Sequence, residues 1–123
     1  MRLPMLFRKG LGPHALEVSM AGVKMGDRLL QVRCGNGKMF AAIAAKVGLS
    51  GSACAIDDNS EECVRGRKAV AKAGVLAEID HAQYGALPYE DTSFDVVVLW
   101  NLIGVLTPER RVKCLQQTLR VLR

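Results

Sequence analysis

A chain of 123 residues, half of them hydrophobic and 24% charged, has the composition of an ordinary globular protein and room for one core. Aromatic residues make up only 5%, so that core has to be built from Val, Leu, Ile, Ala and Met. Seventeen basic against twelve acidic residues leave a charge of +5, spread along the chain and not gathered in one segment, which argues against a nucleic-acid partner.

Residues 1–10 carry no clear period and read as an N-terminal arm on a single domain spanning 1–123. From Pro13 to Val23 the residues Leu16, Met20 and Val23 recur at helical spacing and predict a short amphipathic helix, with His14 at its cap. Gly26-Asp27 breaks it. Arg28–Val32 (RLLQV) predicts a first strand, followed by the turn Cys34-Gly35-Asn36-Gly37 and an Ala-rich helix over Lys38–Val47 that Gly48 ends with a left-handed cap. Ser52–Ile56 (SACAI) is a second strand, stopping at Asp57-Asp58. Asn59 or Ser60 caps the next helix, Glu61 and Glu62 favour the positive end of its dipole, and Gly74 closes it.

A short third strand is expected over Ala77–His81, then a loop over Gly85–Ser93. Phe94–Trp100 (FDVVVLW) has the Val run of a strand buried on both faces. Thr107-Pro108-Glu109 starts a last helix with a cap, a proline in the first turn and an acid; Val112, Leu115 and Leu119 are expected to line its buried side. Strands alternating with helices over short connections imply an α/β, doubly wound, Rossmann-like parallel sheet with right-handed crossovers, ordered third, second, first, fourth.

The four cysteines lie far apart, without a C-x-x-C or a nearby His pair, so neither a metal site nor a redox dithiol is indicated. They read as small buried thiols of a reducing compartment. The N-terminus MRLPMLFRKGLG lacks the unbroken apolar stretch of a signal peptide, and Val96–Leu106 is too short to span a bilayer. A cytoplasmic protein without a membrane span is expected.

In an open α/β sheet, ligands bind beyond the carboxyl ends of the strands, where strand order reverses. Each unusual cluster in the sequence falls at such an end. Gly35 and Gly37 follow the first strand, and Asp57 follows the second, about twenty residues on, where an acid can accept bonds from both ribose hydroxyls. Gln83 and Tyr84 follow the third strand, and Trp100 and Asn101 the fourth.

With these residues in view, GDRLLQVRCGNGKMFAAIAAKVG resembles the first motif of class I S-adenosylmethionine-dependent methyltransferases, and SACAIDDNSEECVRGRKAVAKAG resembles the second. GALPYEDTSFDVVVLWN is similar to the A-L-P-F-x-D-x-S-F-D segment of the quinone, sterol and arsenite methyltransferase branch. LTPERRVKCLQQTLRVLR resembles the helix leading into that family's Lys-Pro-Gly-Gly turn. The resemblance runs from about Gly26 to Arg123; the family pattern continues with a turn and three further strands, so a truncated, N-terminal cofactor-binding part is implied. An open edge on the fourth strand is then an association hazard.

The resemblance implies S-adenosylmethionine as cofactor and methyl transfer to a small-molecule acceptor. It implies that Gly35 and Gly37 border the methionine portion, Asp57 holds the ribose hydroxyls and Asp58 lies beside the adenine. Gln83 and the Tyr84 backbone N–H would meet the adenine ring, and Asn101 the sulfonium end. Gln31 stands where the family has an acid for the cofactor's ammonium, and Arg33 where it has its first glycine. These departures raise an alternative, a degenerate methyltransferase-like binding module without catalysis. A nicotinamide-dependent oxidoreductase is disfavoured, because the turn lacks the third glycine of G-x-G-x-x-G. His81 and His14 are the available neutral-pH bases, and neither is assigned a catalytic role.

Overall fold

A computed structural model of the chain describes residues 14–123. The elements run α1 (Ala15–Ala21), β1 (Arg28–Val32), α2 (Lys38–Ala44), β2 (Ser52–Asp57), α3 (Ser60–Ala73), β3 (Glu78–His81), β4 (Val96–Leu99) and α4 (Pro108–Val121). The expected arm over residues 1–10 and the start of the first helix at Pro13 lie outside the described residues. All strand pairs are parallel and the order is β3-β2-β1-β4, as the alternation of elements implied.

β1 sits between β2 and β4 and alternates its side chains between two cores. Leu29 joins Phe40, Ile43, Val47 and Val70 under α2 and α3. Leu30 and Val32 join Ile56, Phe94, Leu102, Cys114 and Val121 on the α4 side. With period-two geometry both faces of the strand are covered, and each large aliphatic side chain so buried contributes roughly 1.5–3 kcal/mol.

The expected caps form where the sequence offers side-chain acceptors. Asn59 accepts the backbone N–H groups of Glu61 and Glu62, and Thr107 accepts that of Arg110. Gly74 closes α3 in the left-handed conformation. His14 occupies the α1 cap position but makes no capping bond; its ring pairs with Glu17 at 3.5 Å. Gly48 has positive φ with extended ψ, so the left-handed cap expected there is replaced by a sharper turn after the 3₁₀ segment Ala45–Val47.

Three further expectations are corrected. In α1, Leu16 and Met20 are exposed, and Val18 and Ala21 instead pack on the core. In β4 every residue is only half-buried, because β1 covers one edge and the outer edge carries no strand among the described residues. In α4, Val112, Leu115 and Leu119 are exposed, while Cys114, Thr118 and Val121 face the sheet.

The last correction has an identifiable cause. Phe94 donates to the Val121 carbonyl at 2.9 Å, Arg123 donates back to Phe94 at 2.8 Å, and Arg120 reaches the carbonyls of Leu87 and Tyr89. Those ties set the rotation of the helix. Leu115 and Leu119 are left exposed on α4, and the outer edge of β4 carries no strand among the described residues.

Candidate functional site

The carboxyl ends of β1 and β2 lie side by side, and their residues enclose a cavity of about 370 Å³ lined by Arg33, Gly35, Asp57, Asp58, Asn59, Glu62, Tyr84, Leu102, Val105, Leu106 and Arg110. That is at the small end of the range of roughly 300–1,000 Å³ for small-molecule sites. A neighbouring cavity of about 230 Å³ lies beyond Tyr84, Leu106 and Arg110, and includes Gln83 and Lys113. A third, open groove of about 540 Å³ runs along Arg33, Leu99, Asn101 and Val105.

Asp57 organises the first cavity. It is 2% exposed, and its Oδ2 accepts the Gly35 backbone N–H at 3.3 Å while Oδ1 accepts that of Asn59 at 3.0 Å. The Tyr84 hydroxyl donates to Oδ1 at 3.2 Å, and the Cys34 thiol approaches Oδ2 at 3.7 Å. A buried carboxylate needs such donors, since its desolvation is otherwise prohibitive. The same surroundings act on the donors. Burial, then the Asp57 charge, pushes the Cys34 thiol up to about 12, and burial foremost holds the Tyr84 phenol well above its ordinary range.

The two glycines of the turn differ. Gly35, at φ +57°, has open space where a Cβ would stand, so its backbone is available to a ligand. Gly37, at φ +83°, is buried, and a Cβ there would lie 2.5 Å from the Gly66 Cα in α3. Its glycine serves the approach of α2 to α3 and does not line the cavity.

Gln31 lies behind the turn, fully buried. Its Nε2 donates to the Arg33 carbonyl at 3.3 Å and its Oε1 has no partner. Arg33 has φ 74° and Asn101 φ 48°, two non-glycine residues in the left-handed region at the ends of β1 and β4. The Arg33 guanidinium donates to the Asn101 carbonyl and bridges the two turns, and Arg33, Leu102 and Val105 line both the cavity and the open groove.

Of the residues singled out in the sequence, the structure therefore brings Gly35, Asp57, Asp58 and Tyr84 into one cavity. Gln83 lies in the adjoining one and Asn101 in the groove, while Gln31 and Gly37 stand behind. Arg110, which the sequence reading passed over, reaches across from α4 to within 3.8 Å of Asp58. Its position in the first turn after Thr107-Pro108 was the available signal. His81 is exposed and its Nε2 contacts the Asp58 carbonyl at 2.9 Å, which ties the β2 and β3 turns together. Among the described residues no group of three His, Cys, Asp or Glu is placed to hold a metal ion, and no helix is long and apolar enough to cross a membrane.

A parallel sheet in this order, with its acceptor residues gathered at the carboxyl ends of β1 and β2, defines a Rossmann-like fold of the cofactor-binding kind. Residues 29–123 match the family model described as a methyltransferase domain. The chain belongs to that family, the class I S-adenosylmethionine-dependent methyltransferases, and corresponds to its N-terminal part.

The chain is 32% identical over 107 residues to a ubiquinone/menaquinone biosynthesis C-methyltransferase of Stenotrophomonas maltophilia, covering 85% of this chain and 42% of that protein. A protein of the same description from Xylella fastidiosa is 32% identical over 108 residues, covering 86% and 42%. The chain thus spans under half the length of these curated relatives. Among solved structures, a SAM-dependent methyltransferase from Aquifex aeolicus shares the fold with TM-score 0.76 at 24% identity, over 92% of this chain and 63% of that one. PKMT2 from Rickettsia typhi, in complex with AdoHcy, matches with TM-score 0.70 at 19% identity, over 80% and 19%.

S-adenosylmethionine is the cofactor of this family, and the donor set here fits it in kind. A carboxylate stands at the end of β2, an open glycine beside it, and a buried, unpartnered amide oxygen under the turn.

Proposed function

We propose that this chain is the cofactor-binding part of a methyltransferase that transfers a methyl group from S-adenosylmethionine to a small-molecule acceptor. The observation that carries the reading is Asp57: a buried carboxylate at the end of β2, held by two backbone N–H groups from the adjoining turns and lining the cavity. A vicinal diol is a ligand that such a carboxylate can recognise. Gln31 Oε1 would accept a bond from the cofactor's ammonium group, Gly35 would let the backbone approach, and Asp58 would lie toward the adenine. Gln83 and the Tyr84 backbone N–H would meet the adenine from the adjoining cavity. Asn101 would border the sulfonium end.

When bound, the cofactor supplies an electrophilic methyl group on a positively charged sulfur. The chain's own contribution is alignment, because holding two reactants in line accounts for much of the acceleration of a bimolecular displacement. No general base is assigned, since His81 is engaged with the Asp58 carbonyl and His14 with Glu17.

The relatives named above act on carbon in quinone biosynthesis, and an acceptor of that kind would enter from the open groove along Leu99 and Val105. A second reading, a binding module without catalysis, would follow if Gln31 and Arg33, which replace the family's acid and first glycine, weaken cofactor binding.

Calorimetric titration with S-adenosylhomocysteine tests the first reading. Wild type is expected to bind, Asp57→Ala to bind more weakly by about 1.5–3 kcal/mol, and Asp58→Ala to lose less. Because Asp57 also anchors two backbone N–H groups, circular dichroism has to show the variant folded. Equal affinity of folded wild type and Asp57→Ala contradicts the ribose role.

A further inference from the structure

The Asp57 carboxylate has two oxygens and about four acceptor positions. The protein itself uses three of them, the Asn59 N–H and Tyr84 O–H on Oδ1 and the Gly35 N–H on Oδ2, while the Cys34 thiol lies near Oδ2 and also near the Gly35 and Glu62 carbonyls. A ribose diol has two hydroxyls to donate, so at least one resident donor has to leave. The two backbone donors cannot, because they belong to the turn after β1 and the turn that opens α3. The thiol is a weak donor, buried at 3% exposure beneath the turn. Tyr84 differs in kind, since its hydroxyl sits at the tip of a side chain that can swing about χ1. Tyr84 also lines both the 370 Å³ space and the 230 Å³ space beyond it, together with Leu106 and Arg110.

From this geometry we propose that Tyr84 is a latch on the ribose site: its phenol competes with the cofactor's diol for Asp57, and its departure frees the acceptor position that the diol takes. The proposal rests on the cofactor reading above and adds to it the residue that sets affinity. The free protein holds the latch shut, because a phenol hydrogen-bonded to a buried carboxylate is replaced by nothing when the ring leaves without a ligand. For a ligand that bears the diol, the apparent affinity is then the intrinsic one reduced by the fraction of molecules with the ring displaced. A latch of this kind also discriminates. A ligand with two adjacent hydroxyls can replace the phenol on Asp57, whereas one that lacks them cannot.

The test compares wild type, Tyr84→Phe and Tyr84→Ala, each titrated calorimetrically with S-adenosylhomocysteine, adenosine and 2′,3′-dideoxyadenosine. Tyr84→Phe keeps the ring and its packing and removes only the competing donor. It is expected to tighten S-adenosylhomocysteine and adenosine about tenfold, the worth of a hydrogen bond to a charged group at the lower end of its range. The dideoxy analogue, which has no diol, is expected to be unaffected by Tyr84→Phe. Tyr84→Ala removes the phenol together with the ring and is expected to tighten the two ligands that carry the diol.

Equal affinity of wild type and Tyr84→Phe for adenosine overturns the latch and leaves the cofactor reading standing. Weaker binding by Tyr84→Phe also overturns it, since the hydroxyl would then be a ligand contact and not a competitor. A tenfold gain shared by the dideoxy analogue refutes competition for the diol. Binding to none of the three proteins at millimolar ligand overturns the cofactor reading, and the latch with it.

Discussion

Two glycines in one turn look equivalent in sequence, and the structure assigns them different work that a paired substitution can separate. In Gly37→Ala the new Cβ would stand 2.5 Å from the Gly66 Cα, 2.9 Å from the Gly66 carbonyl oxygen and 3.1 Å from the Ala69 Cβ. The first two are backbone atoms of α3 and cannot turn aside, so α2 and α3 have to separate. Overpacking of this sort costs about 1–3 kcal/mol, and placing alanine at φ +83° adds about 1 kcal/mol. A loss of about 3 kcal/mol follows. For 123 residues, with an unfolding entropy near 2.1 cal/mol/K per residue, that lowers Tm by roughly 12 °C.

In Gly35→Ala the new Cβ meets nothing within 4 Å, so only the left-handed backbone is penalised, at about 1 kcal/mol or roughly 4 °C. Its methyl would stand beside the cavity, and S-adenosylhomocysteine should bind more weakly. Thermal unfolding followed by far-ultraviolet circular dichroism, with calorimetric titration of both variants, checks the pair. A Gly37→Ala protein that melts with wild type refutes the reasoning, because α2 and α3 then do not meet so closely.

Further outcomes follow from the residues around that turn. Gln31→Met removes a fully buried amide whose Oε1 has no partner, so it should raise stability by about 1 kcal/mol while weakening S-adenosylmethionine; a fall in Tm refutes the account of the orphaned oxygen. The double variant Gln31→Asp with Arg33→Gly removes a cation beside the site and restores an anion. It should tighten S-adenosylmethionine more than neutral S-adenosylhomocysteine, by an amount that shrinks as salt is added; an equal gain for both ligands points to steric relief alone.

The cysteines predict an alkaline limit. Burial pushes the Cys34 thiol to about 12 and that of Cys54 to about 11, against an ordinary value of 9.0. A raised native pKa means that the unfolded chain releases protons which the folded one keeps. Stability from these groups is therefore complete below pH 9 and lost as pH rises from 9 toward 12, by at most about 1.4 kcal/mol per pH unit for each thiol. Tm measured against pH should fall above 9, and Cys34→Ala should show a shallower slope; an identical slope excludes Cys34 as a contributor.

Much of this architecture follows from local pattern alone. Valine-rich runs, Asn59 and Thr107 as caps, and strand–helix alternation determined the elements, their parallel pairing and the order β3-β2-β1-β4. They also placed Asp57, Gly35 and Tyr84 at strand ends, because the spacing from strand to turn is a short-range quantity. What local pattern left open was which neighbour each side chain meets. Val112, Leu115 and Leu119 make as good an apolar stripe as Cys114, Thr118 and Val121, and only the ties of Val121 and Arg123 to Phe94 chose between them. Gly37 became a packing residue because Gly66 lies against it on another helix. Tyr84 reaches Asp57 across 27 residues, and Arg33 reaches Asn101 across 68. Such pairings depend on strand register and helix rotation, which are fixed when the sheet assembles and its two faces are covered.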